Sequence, residues 1–188
     1  MRLLIFLIGA TFLASCVQTT QLVKDGPVAA SEFRTDIFLP DKENANLIYS
    51  HTEYSEGSWL QAASWGGGSP KRFLMKVVEF NKTNYVTHRD PLSVSLPRMD
   101  HELKKITLNF GKIYNVKGLS GPVSGQAFSA GTSKCLGFYQ SLRTHATTGA
   151  MGAGSGAIHG YYCAPANDNI SDATAMKILS SINFKGKS

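Results

Sequence analysis

Apolar and polar residues alternate with a period of two through several short runs of this chain, and such runs bury one face only as β-strands. The cleanest run sets Ile106, Leu108 and Phe110 against Thr107 and Asn109. Leu47, Tyr49 and His51 alternate in the same way with Ile48, Ser50 and Thr52, and the run from Trp59 to Trp65 stops at the breaker Gly66-Gly67-Gly68-Ser69-Pro70. From Arg72 to Phe80 the pattern changes. Phe73, Met75 and Val77 fall on one face while Leu74, Val78 and Phe80 fall on the other, so a strand covered on both faces is expected. Asn81 to Asn84 offers a turn into Tyr85-Val86-Thr87, and a loop punctuated by Pro91 and Pro97 follows. Gly111 and Lys112 lead into Ile113 to Val116 as a second hairpin or as a bulged continuation, and Cys135 to Tyr139 and Ile158 to Cys163 read as two more strands.

One late segment departs from this pattern. Ser171 is a good N-cap, Asp172 complements a helix N-terminus, and Ala175, Ile178, Leu179 and Ile182 repeat at i, i+3, i+4 and i+7. The spacing predicts a helix of about 11 residues with one face packed on the sheet. A chain of 188 residues with 43% hydrophobic content and no internal repeat is expected to form one α+β domain over residues 31–188, with a mainly antiparallel sheet and a C-terminal helix.

The N-terminus carries a different kind of signal. After Met1 and Arg2, the uncharged run Leu3 to Leu13 is 11 residues long, about half the length needed to cross a bilayer, which suits the apolar region of a signal peptide. Leu13-Ala14-Ser15-Cys16 resembles the lipobox of bacterial lipoproteins; an ordinary secretory signal or a buried N-terminal helix is the rival reading. The resemblance implies a signal peptide over residues 1–15, cleavage before Cys16, and a diacylglycerol on that cysteine. Val17, rather than Asp, at the next position favours the outer membrane over the inner one. Residues 16–30, small and polar with Gly26-Pro27, read as the lipidated N-terminus and tether. The expected location is therefore the bacterial cell envelope, lipid-anchored at the outer membrane and facing the periplasm.

With Cys16 taken by lipid, Cys135 and Cys163 are left as a pair that an oxidising periplasm would close into a disulfide. Chain entropy makes such a bridge worth about 3.5 kcal/mol. Two reduced core cysteines, or a thiol assisted by His145 or His159, are the competing readings. Cys135-Leu136-Gly137-Phe138 and His159-Gly160-Tyr161-Tyr162-Cys163, ahead of the terminal helix, are similar to segments of small proteobacterial envelope proteins, a resemblance that implies no activity.

Lys and Arg exceed Asp and Glu by 19 to 13, and by 18 to 13 once residues 1–15 are removed, a mild basic bias that names no partner. The Gly-rich stretch from Thr144 to Gly160 lacks the Gly-Lys-Ser/Thr of a phosphate loop, and Ser155 lacks the flanking glycines of a nucleophile elbow. The five histidines form no helical metal pair. His51 and Glu53 share a strand face as a candidate acid-base or ligand pair, but two residues do not make a site and an ordinary solvated or hydrogen-bonded pair is the favoured reading. Trp59 and Trp65, with Tyr49 and Tyr54, are candidates for an aromatic platform under a glycan, against simple core packing. Lys104 and Lys105, with Lys112 and Lys117, are candidates for a basic face toward an anionic glycan, against charged strand edges that block aggregation. No catalytic residue, metal set, cofactor motif or nucleic-acid signature is assigned. The expected function is binding or assembly at the envelope, with the membrane, an envelope protein or an anionic glycan as partners; the alternative is an envelope hydrolase acting on cell-wall or surface glycan through Glu53 or another carboxylate.

Overall fold

The computed structural model describes residues 21–55, 57–67, 70–80, 90–142 and 156–185. Eight strands form one antiparallel sheet: β1 (Leu22–Pro27), β3 (Ile48–Tyr54), β4 (Trp59–Trp65), β5 (Phe73–Glu79), β6 (Leu108–Gly118), β7 (Gly121–Ala130), β8 (Ser133–Leu142) and β9 (Gly156–Cys163). Their spatial order is β1-β3-β4-β5-β9-β8-β7-β6. Two meanders thus meet in the middle, the first running inward from β1 and the second returning inward from the far edge, and β5 pairs with β9 where they join. A two-stranded sheet of β2 (Thr35–Asp36) and β10 (Asn183–Phe184) lies apart from it. The chain is an α+β domain, mainly antiparallel, with a C-terminal helix and a Cys135–Cys163 disulfide. The two cysteines are direct cross-strand partners on β8 and β9.

Each sheet face carries its own core. One holds Phe73, Met75, Val77, Phe138, Ile158 and Tyr162 beneath helix α2 (Asp172–Ser180) and the segment containing Phe33, Ile37 and Leu39. The other holds Leu74, Phe128, Cys135, Tyr161 and Cys163 beneath helix α1 (Leu92–Met99) and the short 3-10 turn His101–Lys105. Residues 73 and 74 therefore both disappear from solvent, as expected for a strand covered on both faces. α2 starts at Ser171, whose Oγ accepts from the Thr174 N–H at 3.1 Å, and it buries Ala175, Ile178 and Leu179. It spans nine residues rather than about 11, and Ile182 is buried just beyond its end.

A glycine seats each helix. A Cβ on Gly137 of β8 would stand 2.6 Å from the Leu96 side chain of α1, and one on Gly125 of β7 would stand 2.6 Å from the Leu179 side chain of α2. Gln61, buried on β4, accepts from the Arg34 N–H at 2.9 Å and donates to the Glu32 carbonyl at 3.0 Å, which fastens the N-terminal segment across the sheet.

Two expectations are corrected, and one choice between alternatives is resolved. Residues 22–27, read as tether, form the edge strand β1 paired with β3; Pro27 is tolerated because an edge strand has one side on which a missing N–H costs no ladder bond. The Pro-punctuated loop is helix α1. Pro91 sits at its N-cap, and although Pro97 inside it removes one intrahelical bond, Leu92, Leu96 and Met99 bury at i, i+4 and i+7. Of the two readings after Phe110, the bulged continuation holds: β6 runs unbroken through Gly111 and Lys112, with a register shift between Phe110 and Ile113. Cys16 and the lipobox, the Tyr85-Val86-Thr87 hairpin and residues 143–155 of the Gly-rich stretch lie outside the described residues. Among the described residues no helix is long and apolar enough to cross a membrane.

Candidate functional site: a cleft beneath helix α1

The strand register places Lys76 of β5 directly beside His159 of β9, and His159 directly beside Tyr139 of β8. Cross-strand partners stand about 5 Å apart, so the three side chains form one row across the three central strands. Alternation turns that row toward α1, on the same face as Leu74 and Tyr161. The row floors a cleft of about 350 Å³. Ser95, Arg98 and Met99 of α1 overhang it, Val78, Phe80 and Ala157 provide apolar wall, and Asp90 stands at the start of the α1 segment.

Each polar group has a distinct state. The Lys76 ammonium donates to the Met99 carbonyl at 2.8 Å, at the end of α1 where the helix dipole favours a cation. Burial pulls its pKa below the ordinary lysine range, with Asp100 opposing the shift. Asp100 is itself fully engaged. It accepts from the Tyr161 hydroxyl and, at 3.0 Å, from the Glu102 N–H, and burial together with this carboxylate holds Tyr161 well above the usual phenol range. His159 shows only an edge to the cleft, and protein atoms crowd it elsewhere. That desolvation, with the neighbouring Lys76 charge, pulls its imidazole down from 6.5 to about 4. At neutral pH it is an uncharged ring offering one donor and one acceptor. Ser95 Oγ is buried without a hydrogen-bond partner among the described residues. Arg98 pairs with Asp90 at 2.5 Å. Among the described lining residues Lys76 and Arg98 thus face one carboxylate, Asp90, while the buried Asp100 carboxylate also acts on Lys76.

The residues singled out from the sequence lie elsewhere, and they do not converge. Trp59 is 5% exposed, beneath the Arg34 guanidinium at 4.5 Å and stacked on Phe184 at 6.4 Å, so it packs the core and cannot serve as a glycan platform. Trp65 is half-buried at the other end of β4, roughly 20 Å away by strand rise, with Arg72 over its ring at 4.6 Å. Lys104 and Lys105 stand exposed on the 3-10 turn after α1 rather than on a strand edge, and Lys105 pairs with Glu102 at 2.7 Å. Lys112 pairs with Asp172 at the start of α2. His51 and Glu53 do share a face of β3. His51 stacks on Trp59 at 6.0 Å, and burial lowers its pKa while Glu53 pulls it back up. Glu79 also flanks Trp59, on the side opposite Glu53, and it is held by Arg34 at 3.6 Å. Among the described residues no group of three or more His, Cys, Asp or Glu side chains is placed to hold a metal ion.

The sequence reading missed the Lys76–His159–Tyr139 row. Its one visible trace was Lys76 itself, a charge inside a strand otherwise apolar on both faces. Comparison with protein-family models, with curated proteins and with solved structures finds no match.

Proposed function

We propose that the protein is an envelope lipoprotein, lipidated on Cys16, whose domain binds a partner at the outer membrane rather than transforming a substrate. Two or more acyl chains on one cysteine hold a domain of this size on a bilayer without a protein span. With β1 starting at Leu22, only five residues separate Cys16 from the sheet, so the domain would stand within about 20 Å of the headgroups. The observation that carries the binding reading is the cleft. It is a concavity built on the three central strands, donor-rich at its floor and apolar on its walls, the composition expected of a ligand site.

The hydrolase reading draws less support. Glycan hydrolysis needs two carboxyl groups across a groove, yet Glu53 is exposed on the sheet face opposite the cleft, and Glu79 on that face is committed to Arg34. Fractionation of cells expressing the native chain and Cys16→Ala, with palmitate labelling and recovery of bound partners from the membrane fraction, tests the proposal. Labelled native protein that carries a partner, and unlabelled Cys16→Ala protein found soluble, are expected. Label persisting in Cys16→Ala sinks the anchor, and a hydrolytic activity lost in Glu53→Gln sinks the binding role.

A further inference from the structure

The Lys76 ammonium sits half-buried in the cleft floor with one of its three N–H groups satisfied by the Met99 carbonyl. Among the described ion pairs none engages it, and the nearby Asp100 spends both oxygens on Tyr161 and the Glu102 N–H. Asp100 offsets part of the cost of this partly desolvated charge, and a group accepting from the remaining ammonium N–H groups would offset more. Ser95 and the neutral His159 ring line the same space, and the shielded Ser95 Oγ has no hydrogen-bond partner among the described residues. Among the described lining residues the one carboxylate, Asp90, is already taken by Arg98 at 2.5 Å. Among the described residues the polar floor therefore keeps donors to spare. The remaining surface, Val78, Phe80, Met99 and Ala157, accepts only an apolar body.

Resting on the binding reading above, we propose that this cleft takes a small organic monoanion: a carboxylate-type head on Lys76, Ser95 and His159, and an apolar body along Val78, Phe80 and Ala157. The ammonium keeps N–H groups free of the Met99 carbonyl for one negative head, and about 350 Å³ lies at the small end of ligand pockets. The Met99 carbonyl fixes the ammonium before the ligand arrives, so little side-chain entropy remains to be lost on binding.

The test titrates the full chain carrying Cys16→Ser with octanoate, and with 1-octanol and octylammonium as bodies of equal length bearing neutral and positive heads. One octanoate per chain is expected, bound about tenfold more tightly than octanol, the size of one charge-assisted hydrogen bond, with octylammonium weakest. Lys76→Met should erase the preference for octanoate over octanol, and Ala157→Leu, which fills the apolar wall, should block both. Should Lys76→Met lose its native near-ultraviolet circular dichroism, the ranking of heads on the unmodified cleft and its loss in Ala157→Leu decide the matter. Octanoate binding no tighter than octanol, or a preference unchanged by Lys76→Met in a folded chain, overturns the inference. Failure of octanoate in a chain that still recovers an envelope partner overturns this inference alone, and failure of both overturns the binding reading with it.

Discussion

Acid should destabilise this fold through His159, in a pH window and by an amount that the structure sets. A free imidazole titrates near 6.5, whereas crowding by protein and the adjacent Lys76 charge hold His159 at about 4. Above pH 6.5 the ring is neutral in both folded and unfolded chains and contributes no pH dependence. Between 6.5 and 4 the unfolded chain takes up a proton that the folded chain refuses, so stability falls with pH, approaching 1.4 kcal/mol per unit and totalling about 3 kcal/mol by pH 4. That is a large part of the roughly 5–15 kcal/mol that stabilises an ordinary domain. Lys76, Tyr139, Arg98 and Asp90 line the same cleft and are common to both proteins compared, so what they contribute cancels in the difference. His51 is also held low by burial and adds its own slope in both proteins. Urea unfolding followed by circular dichroism, at steps from pH 7 to pH 4, should give a native curve that falls more steeply than that of His159→Gln. The two losses should differ by about 3 kcal/mol over the range. Parallel curves would show that His159 is solvated in the folded protein, and the description of the cleft floor would be wrong.

Three further outcomes follow from the packing. Cys135→Ala with Cys163→Ala opens a bridge between residues 28 apart in sequence and should cost about 3.5 kcal/mol in denaturant unfolding, with no change in the cleft's ligand preference if the strands stay paired. Gly137→Val should lift α1 off β8, because the added Cβ would meet Leu96 at 2.6 Å, and Leu96→Ala should remove about 2–5 kcal/mol by leaving a cavity in the same place; both are read from thermal unfolding. Ser171→Ala deletes the acceptor of the Thr174 N–H and should cost about 1 kcal/mol, while Ser171→Asp restores it.

What was legible in the sequence follows from how locally each element is specified. α2 was readable because its cap, its charge and its apolar spacing agree within a dozen residues. β6 was readable from the alternation at Ile106, Leu108 and Phe110, and the choice between hairpin and bulge had to wait for the β7 register. β7 gave no signal because its face toward α2 is Val123, Gly125 and Ala127, small residues that admit Leu179 from another element. α1 was hidden by its two prolines, which outweigh a three-residue apolar stripe on any local reading. The cleft was illegible for a deeper reason. Lys76, Tyr139 and His159 stand 63 and 20 residues apart in the chain, and only the junction of the two meanders at β5 and β9 brings them into one row. Trp59 shows the converse error, since an aromatic residue conspicuous in the sequence lies beneath Arg34 and Phe184, segments more than a hundred residues apart from each other.

The most direct test of anchored binding through the cleft is in-cell photo-crosslinking from a single position. A photoreactive residue at Arg98, on the overhang of the cleft, is compared with one at Lys117, exposed on the far edge strand β6, and the protein recovered from membranes is weighed intact. A discrete added mass from position 98, absent from position 117 and lost when Ala157→Leu fills the cleft, is the predicted result. Added mass from position 117 alone, or an adduct at 98 that survives Ala157→Leu, would contradict the account.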